Sequence, residues 1–419
     1  MTLKGHGQND VSAQQCFLKM KIALIDLWRV VRAKGGTEKI FCDMSNILLK
    51  NGHEVTAVCC ENNFGPPGFP IDPGVRFLNA WSQETPWWLS EKLRNLWSLS
   101  LSRKRRHLLR VKFNYARYGA KIRKALSHWG LPDVFICSQI EAGVAVRCAF
   151  GGRVPIITMV HTNPLAQPLL QTFAKEARSL APIQVLMPEY VDMVHQLIPG
   201  LSSEAVLCLP NAVPQYSQVA DRTSKKIMNV ARLDVGKRQY LLVEAFALIK
   251  DRFPDWTLEL WGEANVNQAC TSQVESLIAD NGLAGRVHLC GTTLNVAQEL
   301  AKASVFAFPS DREGFPLALT EAMSMGLAVV GCRECSSVNS LIEDGKNGLL
   351  VESTAESLAD ALSKLMQNAD LRISLGNSAK ESMEQYSPQL IWGQWENLIA
   401  KTVVSRQLNY GCSLLPWGR

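Results

Sequence analysis

The stretch SVFAFPSDREGFPLALTEAMSMGLAVVGC, residues 304–332, carries the clearest signal of fold class in this chain. It opens with an apolar run of strand length, passes through a loop into a helical segment that starts near Leu317, and closes with the apolar run AVVGC. A strand, a helix and a strand in this order predict a βαβ unit with parallel strands. The stretch therefore indicates an α/β fold with a mostly parallel sheet.

The same alternation continues toward the N-terminus. The runs KIMNVA, TLELWG and VHLCG predict strands, and QYLLVEAFALIK predicts one of the helices between them. An earlier series of strand-like runs comprises MKIALID, EVTAVCC, VFICS, PIITMVH, IQVLMP and AVLCLP. The polar stretch PQYSQVADRTSKK, which follows residue 213 and opens with proline, separates the two series and is the predicted linker.

The two series predict two Rossmann-like, doubly wound domains. We place the first at residues 1–213 and the second at residues 224–387. Ligands of such folds bind at the carboxyl ends of the strands, so the two domains should face each other across a cleft. A final helical stretch, residues 388–404, carries aromatic and aliphatic residues on one face and must pack on another surface.

The composition is that of a folded protein with more than one domain. Of 419 residues, 47% are hydrophobic and 20% are charged. No apolar run reaches the roughly 18–20 residues of a membrane span, and the N-terminus lacks the apolar core of a signal peptide, so we expect a cytoplasmic protein. The twelve cysteines lie mostly in strand-like runs, which favours reduced thiols; Cys332 and Cys335 form one C-x-x-C without a second pair.

Positive charge is concentrated in the first half of the chain. Residues 1–200 hold 25 Lys and Arg against 14 Asp and Glu, and Glu91–Lys124 alone holds twelve basic residues and one acidic residue. Aromatic residues are interleaved with these cations across residues 87–124. This pattern favours binding to an anionic membrane surface, the alternative being a solvated basic helix face. We do not expect nucleic-acid binding, because no known binding module surrounds the segment.

Two glutamates in the opening stretch are candidate ligand contacts. Glu313 lies in the loop after the strand, and Glu321 lies eight residues later, about one turn into the helix. Gly314 lets the main chain pass close to a ligand, and the free amides of Leu317 and Ala318 at the helix N-terminus favour a phosphate. Both carboxylates can therefore face one pocket.

Two cations follow another predicted strand. Arg232 and Lys237 lie five residues apart just beyond the run KIMNVA. They can neutralise a diphosphate and stabilise it as a leaving group, the main requirement of glycosyl transfer from a sugar nucleotide. The chain has no D-x-D motif, so we predict no metal and no other cofactor.

Together these residues resemble a known family. The pair Arg232 and Lys237, the block EGFPLALTEA, the LPNAV at the domain junction, and Gly35-Gly36 after the first strand are similar to retaining family-4 glycosyltransferases of GT-B fold. The resemblance spans about residues 20–400. It implies that the final helix crosses back to the first domain.

The resemblance also implies a role for each matching residue. Glu321 would hydrogen-bond the ribose, Arg232 and Lys237 would hold the diphosphate, and Glu313 and His161 would contact the donor sugar. Gly35 and Gly36 would line the phosphate and acceptor side of the cleft. The remaining expected donor contacts are Gly291, Thr292, Gly314, Phe315 and Leu317, of which the turn at Gly291 and Thr292 would meet a uridine, guanosine or adenosine base.

One loop departs from the family pattern. Many members have Gly-x-Gly after the second strand of the donor domain, where this chain reads WGEANV and keeps only Gly262. The implied activity is retaining transfer of a hexose-type sugar to a glycan or lipid-linked acceptor, in lipopolysaccharide or surface polysaccharide biosynthesis at the inner face of a bacterial membrane. Two alternatives stay open: a nucleotide-sugar 2-epimerase of the same fold, and a non-catalytic, membrane-associated partner.

Overall fold

The computed structural model describes residues 18–82, 103–167, 170, 172, 174–264 and 267–411. Residues 21–208 contain a sheet of seven parallel strands in the order β3-β2-β1-β4-β5-β6-β7. The strands are β1 Lys21–Asp26, β2 Glu54–Cys59, β3 Arg76–Asn79, β4 Val134–Cys137, β5 Ile156–Val160, β6 Ile183–Val185 and β7 Val206–Cys208. The helices of this part are α1 Gly36–Lys50, α2 Arg103–Ala125, α3 Ile140–Phe150, α4 Ala174–Ala177 and α5 Pro188–Leu197.

A second parallel sheet follows, with six strands in the order β10-β9-β8-β11-β12-β13. Its strands are β8 Lys226–Val230, β9 Thr257–Trp261, β10 Val287–Gly291, β11 Val305–Phe308, β12 Ala328–Cys332 and β13 Leu349–Val351. Its helices are α6 Gln239–Ile249, α7 Gln268–Asp280, α8 Val296–Leu300, α9 Leu317–Ser324, α10 Ser336–Leu341, α11 Ala355–Gln367 and α12 Ala369–Ser382. The prediction of two Rossmann-like, parallel-sheet domains is confirmed.

Strand order places the ligand-binding edge of each sheet. In the first sheet β1 lies between β2 and β4, and in the second β8 lies between β9 and β11. The chain therefore winds first to one side and then to the other, which creates a switch point between β1 and β4 and another between β8 and β11. The loops that leave the carboxyl ends of these strands border the crevice where this fold binds ligands.

The last helix, α13 Pro388–Gly411, returns to the first domain. Ile391, Trp395 and Ile399, four residues apart along one helix face, are buried in the same cluster as Met20 and other first-domain residues. Glu396 lies on this helix too, and its Oε2 is 2.9 Å from Nε2 of the buried His53. The helix thus contributes to the core of the domain that begins the chain.

The linker is held against the second domain. Residues 209–225 contain no helix or strand, yet Ala220 N–H donates to the Met325 carbonyl at 3.0 Å and the Arg222 side chain donates to the Gly326 carbonyl at 3.1 Å. The returning chain passes beside it, where Val213 N–H donates to the Tyr386 carbonyl at 2.8 Å. The two crossings between the domains are therefore adjacent.

Two strands were absent from the sequence prediction. The strand β3 is short and partly exposed, and β13 has only three residues. Both lie at sheet edges, where the long apolar run of a buried parallel strand is not required. The cysteines within the described residues are all free thiols. None of the helices described is both long and apolar enough to cross a bilayer.

Candidate active site

An ion pair joins the two predicted loops of the second domain. Lys237 Nζ lies 2.5 Å from Glu313 Oε1, and both side chains are largely buried, at 22% and 12% exposed. Asp311 N–H donates to the Gly236 carbonyl at 3.0 Å, and Arg238 pairs with the Asp311 carboxylate at 3.2 Å. The loop after β8 and the loop after β11 therefore form one unit at the switch point, as their spacing in the sequence suggested.

Glu321 lies at the domain boundary, in the middle of α9. It is buried, and its Oε1 is 3.9 Å from Nζ of Lys39, which belongs to α1 of the first domain. Lys39 also donates to the Asp43 carboxylate at 2.8 Å. Burial raises the pKa of Glu321, and the Lys39 ammonium opposes that shift. Burial lowers the pKa of Lys39, but the carboxylates of Asp43 and Glu321 outweigh it and raise the pKa above its usual value.

Arg232 faces the first domain from the loop after β8. The side-chain amide of Gln239 donates to the carbonyls of Ala231 and Arg232 at 3.2 Å and 2.9 Å, which fixes the main chain here. Burial raises the pKa of Glu38 on α1, while the positive charges of Arg232 and Arg29 oppose that shift. Cations from both domains thus converge on the first turn of α1.

His161 and Gly314, the residue after Glu313, meet across the cleft. A Cβ on Gly314 would lie 1.9 Å from the carbonyl oxygen of His161, so only glycine allows the two main chains to approach this closely. The hydroxyl of Tyr190 on α5 donates to the Glu313 carbonyl at 2.8 Å. Burial lowers the pKa of His161 to about 4, so the imidazole is neutral at pH 7 and can act as a hydrogen-bond partner.

The two helix N-termini face each other. Gly35 is the N-cap of α1, and a Cβ on it would lie 2.3 Å from Glu38 Oε2. A Cβ on Gly36 would lie 3.2 Å from Cδ1 of Leu317, the first residue of α9. Free amides at both N-termini therefore border one space, which favours an anionic group between them.

The loop that departs from the family pattern still depends on its one glycine. Gly262 has φ +150°, and a Cβ there would lie 2.0 Å from the Ala231 carbonyl oxygen. Its N–H donates to the Gly291 carbonyl at 2.7 Å. The loops after β8, β9 and β10 are thus packed main chain against main chain, with Thr292 exposed beside them.

Phe315, one of the predicted donor contacts, does not turn its side chain toward the cleft. Phe315 is buried in the core, and its ring packs edge-on against Tyr386 with centroids 5.5 Å apart. Only its main chain can face the cleft, because the apolar ring is stabilised by burial away from water. Conversely, no sequence pattern singles out Lys39 or Tyr190, whose contacts depend on how the domains meet.

Two further features of the described residues bear on the chemistry. They contain no cluster of His, Cys, Asp and Glu suited to hold a metal ion. A cavity of about 740 Å³ lies between α13 and the residues around the starts of β5 and β7, lined among others by Pro155, Leu207 and Lys401. It lies at the amino-terminal edge of the first sheet, whereas His161 follows the carboxyl end of β5, so the cavity is separate from the converging side chains.

The second domain matches a known family, and two curated relatives show how far the similarity extends. Residues 224–368 match the family described as Glycosyl transferases group 1. A Campylobacter jejuni N-acetylgalactosamine-N,N'-diacetylbacillosaminyl-diphospho-undecaprenol 4-alpha-N-acetylgalactosaminyltransferase is 34% identical over 37% of this chain and 41% of its own length. An uncharacterized glycosyltransferase of Haemophilus influenzae is 21% identical over 88% of this chain and 97% of its own length. Other curated relatives are also matched over half of their own length or less.

A solved structure resembles nearly the whole chain. A variant of Staphylococcus aureus TarM, crystallised with fondaparinux, α-GlcNAc-glycerol and UDP, superposes with a TM-score of 0.70 at 16% identity. The superposition covers 91% of this chain and 99% of that one. This likeness confirms the predicted GT-B fold.

Proposed function

We propose that this chain, whose residues 224–368 form a glycosyl transferases group 1 domain in a GT-B fold, transfers a hexose-type sugar from a nucleotide diphosphate sugar to a glycan or lipid-linked acceptor. The observation that carries the proposal is the largely buried pair of Lys237 and Glu313, 2.5 Å apart, in which Glu313 adjoins the Gly314 that packs against the His161 main chain. A buried cation at a switch point and opposed helix N-termini form a site for a diphosphate.

Each of these groups has a task in the transfer. Lys237 and Arg232 neutralise the charge that develops on the diphosphate as the bond to the sugar breaks, so that no metal is needed. The α9 N-terminus adds main-chain donors for the same phosphates, and Glu321 accepts from the ribose hydroxyls. Neutral His161 and Glu313 orient the sugar. Retention follows if the acceptor hydroxyl attacks from the face that the diphosphate leaves and gives its proton to the departing phosphate.

Closure of the cleft protects the donor from hydrolysis. The contacts of Gly314 with His161 and of Tyr190 with Glu313 bring the two domains together over the reacting sugar. Excluding water strengthens the interaction of Lys237 with the leaving group and removes the competing nucleophile. The same contacts assemble groups from both domains into one site.

The acceptor class is supported by the relatives. The Campylobacter relative is named for transfer to a diphospho-undecaprenol-linked sugar, and the Staphylococcus structure contains α-GlcNAc-glycerol and UDP. We accordingly propose a role in bacterial surface polysaccharide assembly, with UDP as the first nucleotide to test.

Thermal unfolding with sugar nucleotides tests the donor site. UDP-, GDP- and ADP-sugars are added to the protein in EDTA, because a ligand that binds the native state raises the unfolding midpoint by mass action. We expect one nucleotide series to stabilise the wild type but not Lys237→Ala. The matched control is Lys225→Ala, which removes a lysine of the same domain paired with Asp255 on the surface. Absence of any stabilisation would point to the non-catalytic alternative.

A second assay separates transfer from isomerisation. The stabilising sugar nucleotide is incubated alone and with acceptors, and the sugar is followed by proton NMR. Transfer predicts no epimerised sugar in the absence of acceptor and an α-linked product in its presence when the donor is α-linked. Conversion of the donor alone at the sugar's 2-position would support the epimerase alternative.

We further propose that the protein binds the cytoplasmic face of an anionic membrane through its basic segment. Part of that segment, including Trp87, Trp88 and Trp97, lies outside the described residues. Within α2, Tyr115 is buried, whereas a series of cations is exposed: Arg110, Lys112, Arg117, Arg123 and Lys124. Exposed cations near anionic lipid each contribute about 1 kcal/mol of binding energy.

Vesicle co-sedimentation tests this membrane proposal. The wild type should bind vesicles that contain phosphatidylglycerol, but not pure phosphatidylcholine, and salt should release it. Each of the single variants Arg110→Glu and Arg117→Glu should bind less, whereas Lys364→Glu, a single charge reversal at an exposed position of α11, should not. Equal binding to both lipids would contradict an electrostatic membrane contact.

A further inference from the structure

Two half-exposed tryptophans lie at the ligand-binding edge of the first sheet. Trp28 follows the end of β1 and is 38% exposed, and Trp81 follows the end of β3 and is 37% exposed. The ring of Tyr118 on α2 lies between them, 5.5 Å from Trp28 at 88° and 6.5 Å from Trp81 at 36°. We call these three rings the aromatic platform.

The main chain holds the platform in place. Trp28 N–H donates to Asp26 Oδ1 at 2.8 Å, and Trp81 N–H donates to Asn79 Oδ1 at 3.0 Å, so each tryptophan is fixed by the last residue of its strand. The ammonium of Lys121 lies 5.2 Å from the centre of the Trp81 ring. Rings that are rigid and partly exposed offer contact area at a low entropic cost.

A positively charged loop continues from the platform toward the diphosphate site. Arg29 and Arg32 follow Trp28 and are exposed, and within the described residues only they and Arg238 have positive φ without being glycine. The buried carboxylate of Glu61 accepts from Val30 N–H and Val31 N–H at 2.8 Å each, which holds the loop between the two arginines. Strained backbone of this kind persists where the surroundings impose it.

This loop connects the two halves of the cleft. The charge of Arg29 acts on Glu38, and so does the charge of Arg232 from the second domain. Arg32 N–H donates to the Pro66 carbonyl at 3.1 Å. The same loop contains Asn63, whose carbonyl accepts from the side chain of Asn79, two residues before Trp81. The aromatic platform and the arginines thus border one surface that leads to the donor site.

We propose that this surface binds the acceptor, and that the acceptor is a saccharide carrying phosphate. This inference rests on the proposed function. A pyranose ring presents an apolar face that packs on the indole rings of Trp28 and Trp81. Arg32, with its planar guanidinium, binds the phosphate, and Arg29 lies closer to the diphosphate of the donor.

Binding of small probes with the donor site blocked tests the proposal. Saturation-transfer NMR and tryptophan fluorescence are recorded in excess UDP, with octyl α-glycosides and the 1-phosphates of glucose, galactose, N-acetylglucosamine and N-acetylgalactosamine. We expect at least one of these sugars to bind, and we expect its 1-phosphate to bind about tenfold more tightly than its neutral octyl glycoside. Trp28→Ala should weaken both forms about tenfold, and Trp28→Phe should restore most of the loss.

The arginine variant separates the two parts of the surface. Arg32→Gln should abolish the preference for phosphate and leave binding of the neutral glycoside unchanged. If the wild type binds UDP but none of the probes, or if Trp28→Ala binds them as the wild type does, the proposal is wrong while the donor site stands. If the protein binds no nucleotide at all, it is the proposed function that fails. Preference for the neutral glycoside would overturn the phosphate assignment.

Discussion

Substituting Gly314 by alanine should impair domain closure without disturbing either domain. A Cβ at this position would lie 1.9 Å from the carbonyl oxygen of His161 and 2.7 Å from its carbonyl carbon. Real Cβ atoms keep at least 3.0 Å from such atoms, so the loops must part by about 1 Å. Both partners are main-chain atoms, and therefore no change of rotamer relieves the contact. A misplacement of about 1 Å can cost about a hundredfold in rate, or about 2.7 kcal/mol in activation free energy.

The assay compares donor binding with turnover. Gly314→Ala should still bind UDP through Lys237 and Arg232 of the second domain, losing only the part of the affinity that closure supplies, while transfer falls on the order of a hundredfold. Small-angle scattering should show a more open protein. Gly393→Ala is the matched control, since nothing lies within 4 Å of a Cβ there and the residue is inside a helix. Wild-type turnover in Gly314→Ala would refute the reasoning.

Three other substitutions have expected outcomes. Lys237→Ala should lower turnover about a hundredfold or more by removing leaving-group stabilisation, and single-turnover kinetics should show the loss in the chemical step. Burial raises the pKa of Asp26 to about 7, so between pH 4 and 7 the native state keeps a proton that the unfolded state releases, and stability falls as pH rises. Asp26→Asn should therefore raise the free energy of unfolding, measured in urea, more at pH 8 than at pH 5. The gain should grow by up to about 1.4 kcal/mol for each pH unit between 5 and 7, and a gain independent of pH would contradict this. Glu396→Ala leaves Nε2 of the buried His53 without its partner and should lower the free energy of unfolding by about 1–3 kcal/mol, with α13 exchanging its amide hydrogens faster.

The strands, the helices and several site residues could be predicted because local residue spacing determines them. The alternation of strands and helices follows from apolar periodicity, and Glu313, Glu321, Arg232 and Lys237 are recognisable because each follows a strand or begins a helix at a fixed distance. Their pairing at the switch point then follows from topology. The short edge strands escaped prediction because they lack a long apolar run.

The contacts between the two domains could not be predicted from the sequence. Lys39 lies in an amphipathic helix where an exposed lysine is ordinary, and Tyr190 has the position of any core aromatic. The sequence around these residues does not show that Lys39 lies near Glu321 or that Tyr190 donates to the Glu313 carbonyl. The direction of the Phe315 ring could not be predicted for the same reason, because the side of the loop on which it is buried is decided by Tyr386, far along the chain.

The contact of Lys39 with Glu321 couples donor binding to closure. At 3.9 Å the pair is too long for a direct hydrogen bond, so the Glu321 carboxylate keeps its capacity to accept from ribose hydroxyls. Burial makes the charged form of this carboxylate costly, and the Lys39 ammonium, which belongs to the first domain, offsets part of that cost. A donor whose ribose binds Glu321 while Lys39 and other groups of the first domain complete the site binds the closed form better than the open form, and by linkage its binding favours closure. Lys39→Met should then weaken donor binding and shift the protein toward the open form at the same time, although Lys39 need not touch the donor.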